Sequence, residues 1–551
     1  MGVELRVRWS EMTTEKSKVV IVGAGMAGLT AAAYLPRENY DVLILDKNDK
    51  CGGLLQTFQY DGFSFDSGPR AFINSGIMKP ILKDLEIDWE YLENKISLGV
   101  EDQIVRFNSM DSLQAYKQML VRLYPESVDD IEKIIPIIYR LSEYTKVLYE
   151  FDNPNFTSNL MADKKFLIKK LLPWTFKFLN ALRQFTKFNM PMEVFMDRLT
   201  KNQSLTDIIL QHFFRKTPTY FALGYFYVYL DYFYPKSGTA AVVDLLKNRV
   251  LEKGGEIRLN KQIVAVNPAA KTVTDSTGES YAYDQLIWAA DLKTLYRYVD
   301  PAGLDEKTVA EIKSETERMF AAKGAESVFI LFMAVNRPPS YFQARGGEHM
   351  FYTPSKQGLG QITRSEREAL VRDFDSKTKE EVFAWVDKYC ELNTYEVSIP
   401  ALRDASMAPE RKTGLMISCL LDYDIVEKIE KAGWYAELKE TLENRIISIF
   451  SETIYQGIAD DILFKFSSTP LTIKQVAGSS EGAITGWSFE SNVPVVNKLA
   501  SIPKSVLTPI PGVLQAGQWA YSPAGVPIAM MTGWYATQKL LKDAKRSRKK
   551  S

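Results

Sequence analysis

Residues 18–46 open Lys-Val-Val-Ile-Val-Gly-Ala-Gly-Met-Ala-Gly and close on Leu-Ile-Leu-Asp; no other stretch constrains the fold as strongly. Four consecutive β-branched residues at 19–22 suit a strand buried on both faces of a parallel sheet. Gly23, Gly25 and Gly28 follow with G-x-G-x-x-G spacing. The next segment, 29–35, predicts an Ala-rich helix that stops at Pro36, whose ring removes a donor and clashes with the preceding turn. A second apolar strand at 42–45 ends in Asp46, 23 positions after the first glycine. In such a unit the first glycine permits the tight turn and the second brings backbone against a pyrophosphate. The third lets helix pack on strand. The helix start at Met26 and Ala27 offers unpaired N–H groups and partial positive charge to phosphates. Asp46, followed by Lys47, is placed to accept hydrogen bonds from ribose hydroxyls. All five elements agree, which predicts a dinucleotide site.

Further motifs narrow the cofactor. Cys51-Gly52-Gly53-Leu54 lies just past Asp46, and Phe63-Ser64-Phe65-Asp66-Ser67-Gly68-Pro69-Arg70 soon after. Near the other end stand Gly512-Val513-Leu514-Gln515-Ala516-Gly517-Gln518-Trp519 and Gly525-Val526-Pro527-Ile528-Ala529. Between them lie Tyr234-Pro235-Lys236-Ser237-Gly238, the run 254–260, Pro400-Ala401-Leu402-Arg403-Asp404 with 408–410, and 469–472 with 482–486. On these motifs the chain resembles the flavin-dependent phytoene desaturase family of carotenoid desaturases, isomerases and retinol saturases, within the wider amine-oxidase-like flavoproteins. The resemblance covers residues 16–541.

The resemblance implies FAD as cofactor. It implies an α/β fold, with a discontinuous Rossmann-like FAD-binding domain and an interleaved α+β substrate domain. The FAD-binding segments would be 16–80, 234–300 and 478–541, the substrate-domain segments 81–233 and 301–477, with a flexible N-terminus at 1–15 and a basic tail at 542–551. It also implies cofactor contacts at Gly53, Leu54, Gly68, Pro69, Arg70, Gly517, Gln518, Val526, Pro527 and Ile528, with the Ile263 backbone holding the adenine. Many relatives place Arg directly after the Gly-Gly pair, where Leu54 stands here, so one phosphate counter-charge is missing and Arg70 is a candidate replacement. A helix is expected from near Val526, with Pro527 in its first turn where no donor is lost. That start would point N–H groups at the flavin edge where negative charge gathers on reduction. Local patterning adds a helix at 240–251, strands at 256–259, 263–266, 285–289 and 513–516, and a buried strand at 327–335.

Composition prunes alternatives. A chain of 551 residues is too long for one core. Lys plus Arg and Asp plus Glu number 68 each, which removes any global electrostatic case for nucleic acid. Cys51, Cys390 and Cys419 are too few and too scattered for a disulfide framework or metal site. Cys51, beside the glycines, reads as a small turn residue ahead of a reactive thiol. The only histidines are His212 and His349, which disfavours a histidine triad or multi-histidine metal centre; no metal is expected, and no catalytic acid or base is assigned. His212 reads as structural. Gly358-Leu359-Gly360 follows no predicted strand and opens no predicted helix, so no second nucleotide fingerprint is expected. The first 15 residues lack the apolar core of a secretory signal, Arg6 stands where myristoylation needs Ser or Thr, and no apolar run reaches 18 residues.

Two segments bear on substrate. Residues 164–188 hold seven basic residues and no acid, interleaved with Phe, Leu and Trp, the pattern of a helix lying on an anionic membrane or of a solvated domain surface. Residues 220–234 are dense in aromatics, which suits core packing ahead of a hydrophobic tunnel. The expectation is a cytoplasmic FAD oxidoreductase, peripheral on the membrane. It would act on a long polyene or isoprenoid by desaturation, saturation or cis–trans isomerisation, with hydride transfer at flavin N5 and the electron acceptor undetermined. Alternatives are an FAD-dependent amine oxidase, which would need an aromatic cage at the flavin, and a non-catalytic prenyl-lipid-binding protein of the GDP-dissociation-inhibitor type.

Overall fold

A computed structural model describes residues 16–36, 38–149, 156 and 167–548. The β-branched run forms the strand Ser17–Val22, whose last four residues are buried. Burial follows from its place in a five-stranded parallel sheet, ordered Glu256–Arg258, Tyr40–Leu45, Ser17–Val22, Gln285–Trp288, Val513–Gln515. Val20 pairs with Leu43 on one side and Leu286 on the other. Parallel neighbours cannot be joined by a hairpin and need long crossovers. Here the crossover from Tyr40–Leu45 to Glu256–Arg258 contains two strands of a second sheet, Ile96–Val100 and Gln103–Phe107.

The helix Met26–Tyr34 is buried along nearly its whole length and ends ahead of Pro36. It crosses the long helix Val526–Arg548 at backbone contact, since a Cβ on Gly533 would lie 2.3 Å from the Ala27 carbonyl oxygen. Only small residues permit that approach. The helix Ala241–Glu252 packs on the same apolar cluster. A three-stranded antiparallel sheet, Ile263–Asn267, Thr272–Asp275 and Ser280–Ala282, sits beside the parallel one.

A seven-stranded mixed sheet runs in the order Ile462–Ser468, Ser327–Val335, Thr413–Leu421, Tyr395–Ser398, His349–Thr353, Ile96–Val100, Gln103–Phe107. The helices Lys379–Leu392, Tyr423–Lys431 and Tyr435–Glu452 cover one face of it. On the other face Ile330, Phe332 and Met416 meet the hairpin Thr57–Tyr60/Phe63–Asp66 in an aromatic cluster. Asp66 ties that hairpin down, accepting from Thr57 Oγ1 (2.7 Å), the Thr239 N–H (2.9 Å) and Tyr234 Oη (2.6 Å).

The aromatic segment packs as core: Phe226 in the helix Thr219–Val228, Tyr229 just after it, and Phe233 and Tyr234 in the strand Tyr232–Pro235 are all buried. His212 is structural as expected, its Nε2 lying 2.7 Å from Tyr229 Oη. One expectation fails: Gly360 does open a helix, Gly360–Arg372, and the strand His349–Thr353 ends shortly before it. The signal was hidden because the N-cap, Leu359, makes no side-chain capping bond. Of the basic segment, 164–166 lie outside the described residues, as do the N-terminus 1–15 and tail residues 549–551. The remainder is a π-helical turn Leu167–Leu171 running into the helix Leu172–Lys187, with Leu172 54 %, Phe176 67 % and Leu179 56 % exposed along one stripe. No helix among the described residues is long and apolar enough to cross a membrane.

Candidate cofactor site

The glycine loop does three separate things. At Gly23 φ is +107°, and a Cβ would meet the Ala289 carbonyl oxygen at 2.7 Å, so only glycine turns the chain there. At Gly28 a Cβ would sit 1.9 Å from the Gly23 carbonyl oxygen, which is the close helix–strand packing that the spacing implies. Gly25 differs: its nearest neighbour to a Cβ is the Gly52 carbonyl oxygen at 4.0 Å, so the missing side chain leaves open cleft. The Gly52 N–H donates to the Ala24 carbonyl at 2.9 Å, which draws the Cys51-Gly52-Gly53 turn against the loop.

Around this point a cleft of about 1390 Å³, counted out to its open mouth, brings the distant motifs together. Gly25, Met26, Ala27, Gly53, Leu54, Gly68, Pro69, Arg70, Gly517, Gln518 and Val526 all line it. The others stand behind the lining. Gly23 and Gly28 shape the turn, and Pro527 follows Val526 in the first helical turn. Ile528 packs on the apolar cluster beneath. Ile263 is buried in the cluster that also holds Leu45, while the Lys261 N–H donates to the Asp46 carbonyl at 2.7 Å.

Asp46 is 8 % exposed. Its Oδ2 accepts from the Ala24 N–H (2.7 Å) and its Oδ1 from the Asn48 N–H (2.9 Å), and each oxygen keeps a second lone pair for a hydroxyl. Burial pushes this carboxyl above the usual aspartate value, against the opposing pull of those N–H groups and Lys47. Lys47 itself reaches away: its Nζ donates to the Gln475 carbonyl at 2.9 Å, on the helix Pro470–Ala477. Burial pushes the Cys51 thiol up to about 11, so it is the small turn residue and not a thiolate.

Two helix starts face the cleft, at Met26 and Val526, and neither has an acidic residue in its first turn. Free N–H groups there suit anionic oxygens. Arg70 is 2 % exposed; its Nη1 donates to the Asp66 and Gly68 carbonyls, while its Nε has no hydrogen-bond partner among the described residues. Burial pushes this guanidinium below the usual arginine value; the Glu396 and Asp66 carboxylates oppose that, and the like charge of Arg403 adds to it. A backbone cradle at Gly25, a carboxylate with free lone pairs at Asp46, two uncapped helix starts and an unpaired guanidinium N–H together fit a flavin adenine dinucleotide.

The far wall belongs to the seven-stranded sheet, and its register decides which side chains arrive. Ile330 stands opposite Ser418, and Ser418 opposite Glu396, so the three share one face. All three line the cleft, with Val328. Glu396 was not found from the sequence; no local motif surrounds it.

A family profile described as an NAD(P)-binding Rossmann-like domain matches residues 21–85. The chain is 25 % identical to the 1-hydroxycarotenoid 3,4-desaturase of Flavobacterium sp. (strain P99-3), over 55 % of this chain and 62 % of that one. It is 21 % identical to the all-trans-retinol 13,14-reductase of Danio rerio, over 92 % and 82 %. A 4,4'-diapophytoene desaturase (4,4'-diaponeurosporene-forming) of Staphylococcus aureus (strain COL) is also 21 % identical, over 96 % and 99 %. Among solved structures, a triple mutant of putrescine oxidase redesigned in its cofactor binding superimposes with TM-score 0.58 at 11 % identity, covering 96 % of this chain and 99 % of its own. An oxidoreductase from Methanosarcina mazei gives 0.55 at 14 %, covering 95 % and 100 %. The resemblance read from the motifs thus extends over nearly the whole chain, which is similar to carotenoid desaturases and a retinol reductase and carries the α/β fold of amine-oxidase-like flavoproteins.

Proposed function

We propose that this chain is an FAD-dependent oxidoreductase acting on a long hydrophobic polyene or isoprenoid by desaturation, saturation or cis–trans isomerisation. The observation that carries the reading is a single cleft in which the glycine loop and the Val526 helix start meet an apolar sheet face, with Val328, Ile330, Ile473 and Ile484 in its lining. The segments 16–80, 234–300 and 478–541 hold the cofactor, and 81–233 with 301–477 receive the substrate. When bound, the flavin supplies hydride chemistry at N5. The protein's part is alignment: apolar walls hold an inert hydrocarbon near contact distance and exclude water, which lowers the barrier by several kcal/mol. The uncapped start at Val526 places partial positive charge where the isoalloxazine gathers electrons.

An amine oxidase would need an aromatic cage, and Trp519 is the sole aromatic residue among the described residues lining the cleft. That favours the lipid reading. Substrate of this kind resides in membranes, and the stripe Leu172, Phe176 and Leu179 beside the exposed Lys169, Lys170, Lys177, Arg183 and Lys187 supports peripheral docking there. The test is a visible spectrum of the purified protein, followed by anaerobic additions. A yellow protein bleached by, or in its reduced form consuming, a polyene supports the proposal. Rapid bleaching by a primary or secondary amine, with isoprenoids unchanged, transfers the chain to the amine oxidases.

A further inference from the structure

We propose that Glu396 is the catalytic proton acceptor and donor of this cleft, oriented by His349; the assignment rests on the flavin reading above. Only two carboxylates stand among the described residues lining the cleft, Asp291 and Glu396. Asp291 is committed to capping: its Oδ1 accepts from the Thr294 N–H (3.0 Å) and its Oδ2 from the Ser480 N–H (2.7 Å). Glu396 lies mid-sheet, yet 31 % of its side chain is exposed, and that exposure opens into the cleft.

What stands behind Glu396 fixes its state. His349 is fully buried, and its Nε2 lies 2.9 Å from Glu396 Oε1. Its Nδ1 lies 3.1 Å from Asn94 Nδ2. Arg403 Nη1 donates to Asn94 Oδ1, which sets the amide so that its NH2 group faces the imidazole. Nδ1 is therefore the acceptor, Nε2 bears the proton, and a neutral His349 donates to Glu396. Ser418 Oγ donates to Oε2 at 3.4 Å. The strands impose this arrangement. His349 pairs with Ser398 and with Ile96, so Glu396 and Asn94 are each two residues from its partners and share its face. Burial alone would raise the Glu396 carboxyl, but the His349 N–H and the Arg70 charge hold it below the usual glutamate value.

The step balances as a two-electron oxidation. In the desaturating direction the bound flavin would supply the acceptor for one substrate hydrogen with both its electrons. Glu396 takes a proton from the neighbouring carbon, and the electron pair left behind becomes the second bond of the new C=C. Glu396 ends protonated, the two electrons would rest on the cofactor, and saturation would run the same transfers in reverse.

The experiment uses the full, flavin-loaded chain with a long apolar polyene. Glu396→Gln keeps an acceptor oxygen for His349 and turns an NH2 donor to the Ser418 hydroxyl, which can accept, so FAD content, spectrum and melting temperature are expected to match the wild type. Polyene-driven bleaching should fall about 10²–10⁴-fold. Glu396→Asp keeps a titratable carboxyl and should fall between the two. A readout independent of turnover comes from infrared difference titration of the protein without flavin. The carboxyl band that disappears in Glu396→Gln should titrate at higher pH in His349→Phe, which lacks the N–H donor. Equal bleaching rates for the wild type and Glu396→Gln, equal rates for the Asp and Gln variants, or a band unmoved in His349→Phe would each overturn the assignment and leave the flavin reading standing. A wild type that is colourless and cannot be reconstituted with FAD overturns both.

Discussion

The Asp46 carboxylate accepts a 2.7 Å hydrogen bond from the Ala24 N–H, so the acid that closes the second strand also clasps the loop between the first two glycines. The proposed ribose contact and the loop geometry would therefore rest on one carboxylate. Asp46→Ala is expected to weaken FAD binding by about 1–3 kcal/mol, the scale of an unpaired buried polar partner. Asp46→Asn, which keeps an acceptor, should lose less. Flavin fluorescence titration of the two variants checks the order.

Gly25 and Gly28 should separate cofactor binding from folding. The Gly25 backbone, at φ −79° and ψ −176°, accepts any residue, and a Cβ there meets nothing closer than 4.0 Å. Gly25→Ala is expected to fold normally and lose FAD, because its methyl occupies cleft. Gly28→Ala, with a Cβ 1.9 Å from the Gly23 carbonyl oxygen, should lower the melting temperature of the apoprotein itself. Calorimetry beside flavin content distinguishes them.

Acid sensitivity should be traceable to His212. Burial pushes its imidazole down to about 3, so the folded chain holds it neutral beside Tyr229. Its folded value lies below the unfolded value near 6.5, so the unfolded state takes up a proton first as pH falls. The stability from this group is complete above about pH 6.5 and is lost towards pH 3, at about 1.4 kcal/mol per pH unit. His212→Gln, which can still bond Tyr229, should flatten the slope by that amount in urea denaturation between pH 7 and 4. An unchanged slope would contradict it.

Membrane docking should have two separable parts. Replacing Lys169, Lys170 and Lys177 with Gln should weaken binding to anionic vesicles and remove its salt dependence, since each surface cation contributes about 1 kcal/mol. Phe176→Ser with Leu179→Ser should weaken binding at every salt concentration. Co-sedimentation with neutral and anionic liposomes reads both, and variants that bind like the wild type would reject this surface.

The nucleotide-binding half was legible because its signals are local. A run of β-branched residues, glycines at fixed spacing and an acid at the end of the next strand all fall within 18–46, where chain geometry alone relates them. The start of the Val526 helix was legible for the same reason, with Pro527 marking its first turn. Gly533 was not, because its need for glycine comes from the Ala27 carbonyl, a contact between helices at opposite ends of the chain. Lys47 sits beside the motif in sequence but is drawn off by Gln475, and nothing near either residue announces that pairing. Glu396, His349 and Asn94 belong to no pattern of spacing, and Arg403 lies in a motif that names none of them; His349 and Asn94 are 255 residues apart. His349 and Glu396 meet because their strands settle into one register, and a slip of a single residue would turn either side chain to the opposite face; Asn94 joins them just ahead of the strand Ile96–Val100, and Arg403 from the turn after Pro400–Leu402. The sequence by itself determined the nucleotide-binding unit and the class of cofactor it suits. Only the tertiary structure decided which carboxylate faces the cleft, because register is set by the packing of whole sheets and is not encoded in any short run of residues.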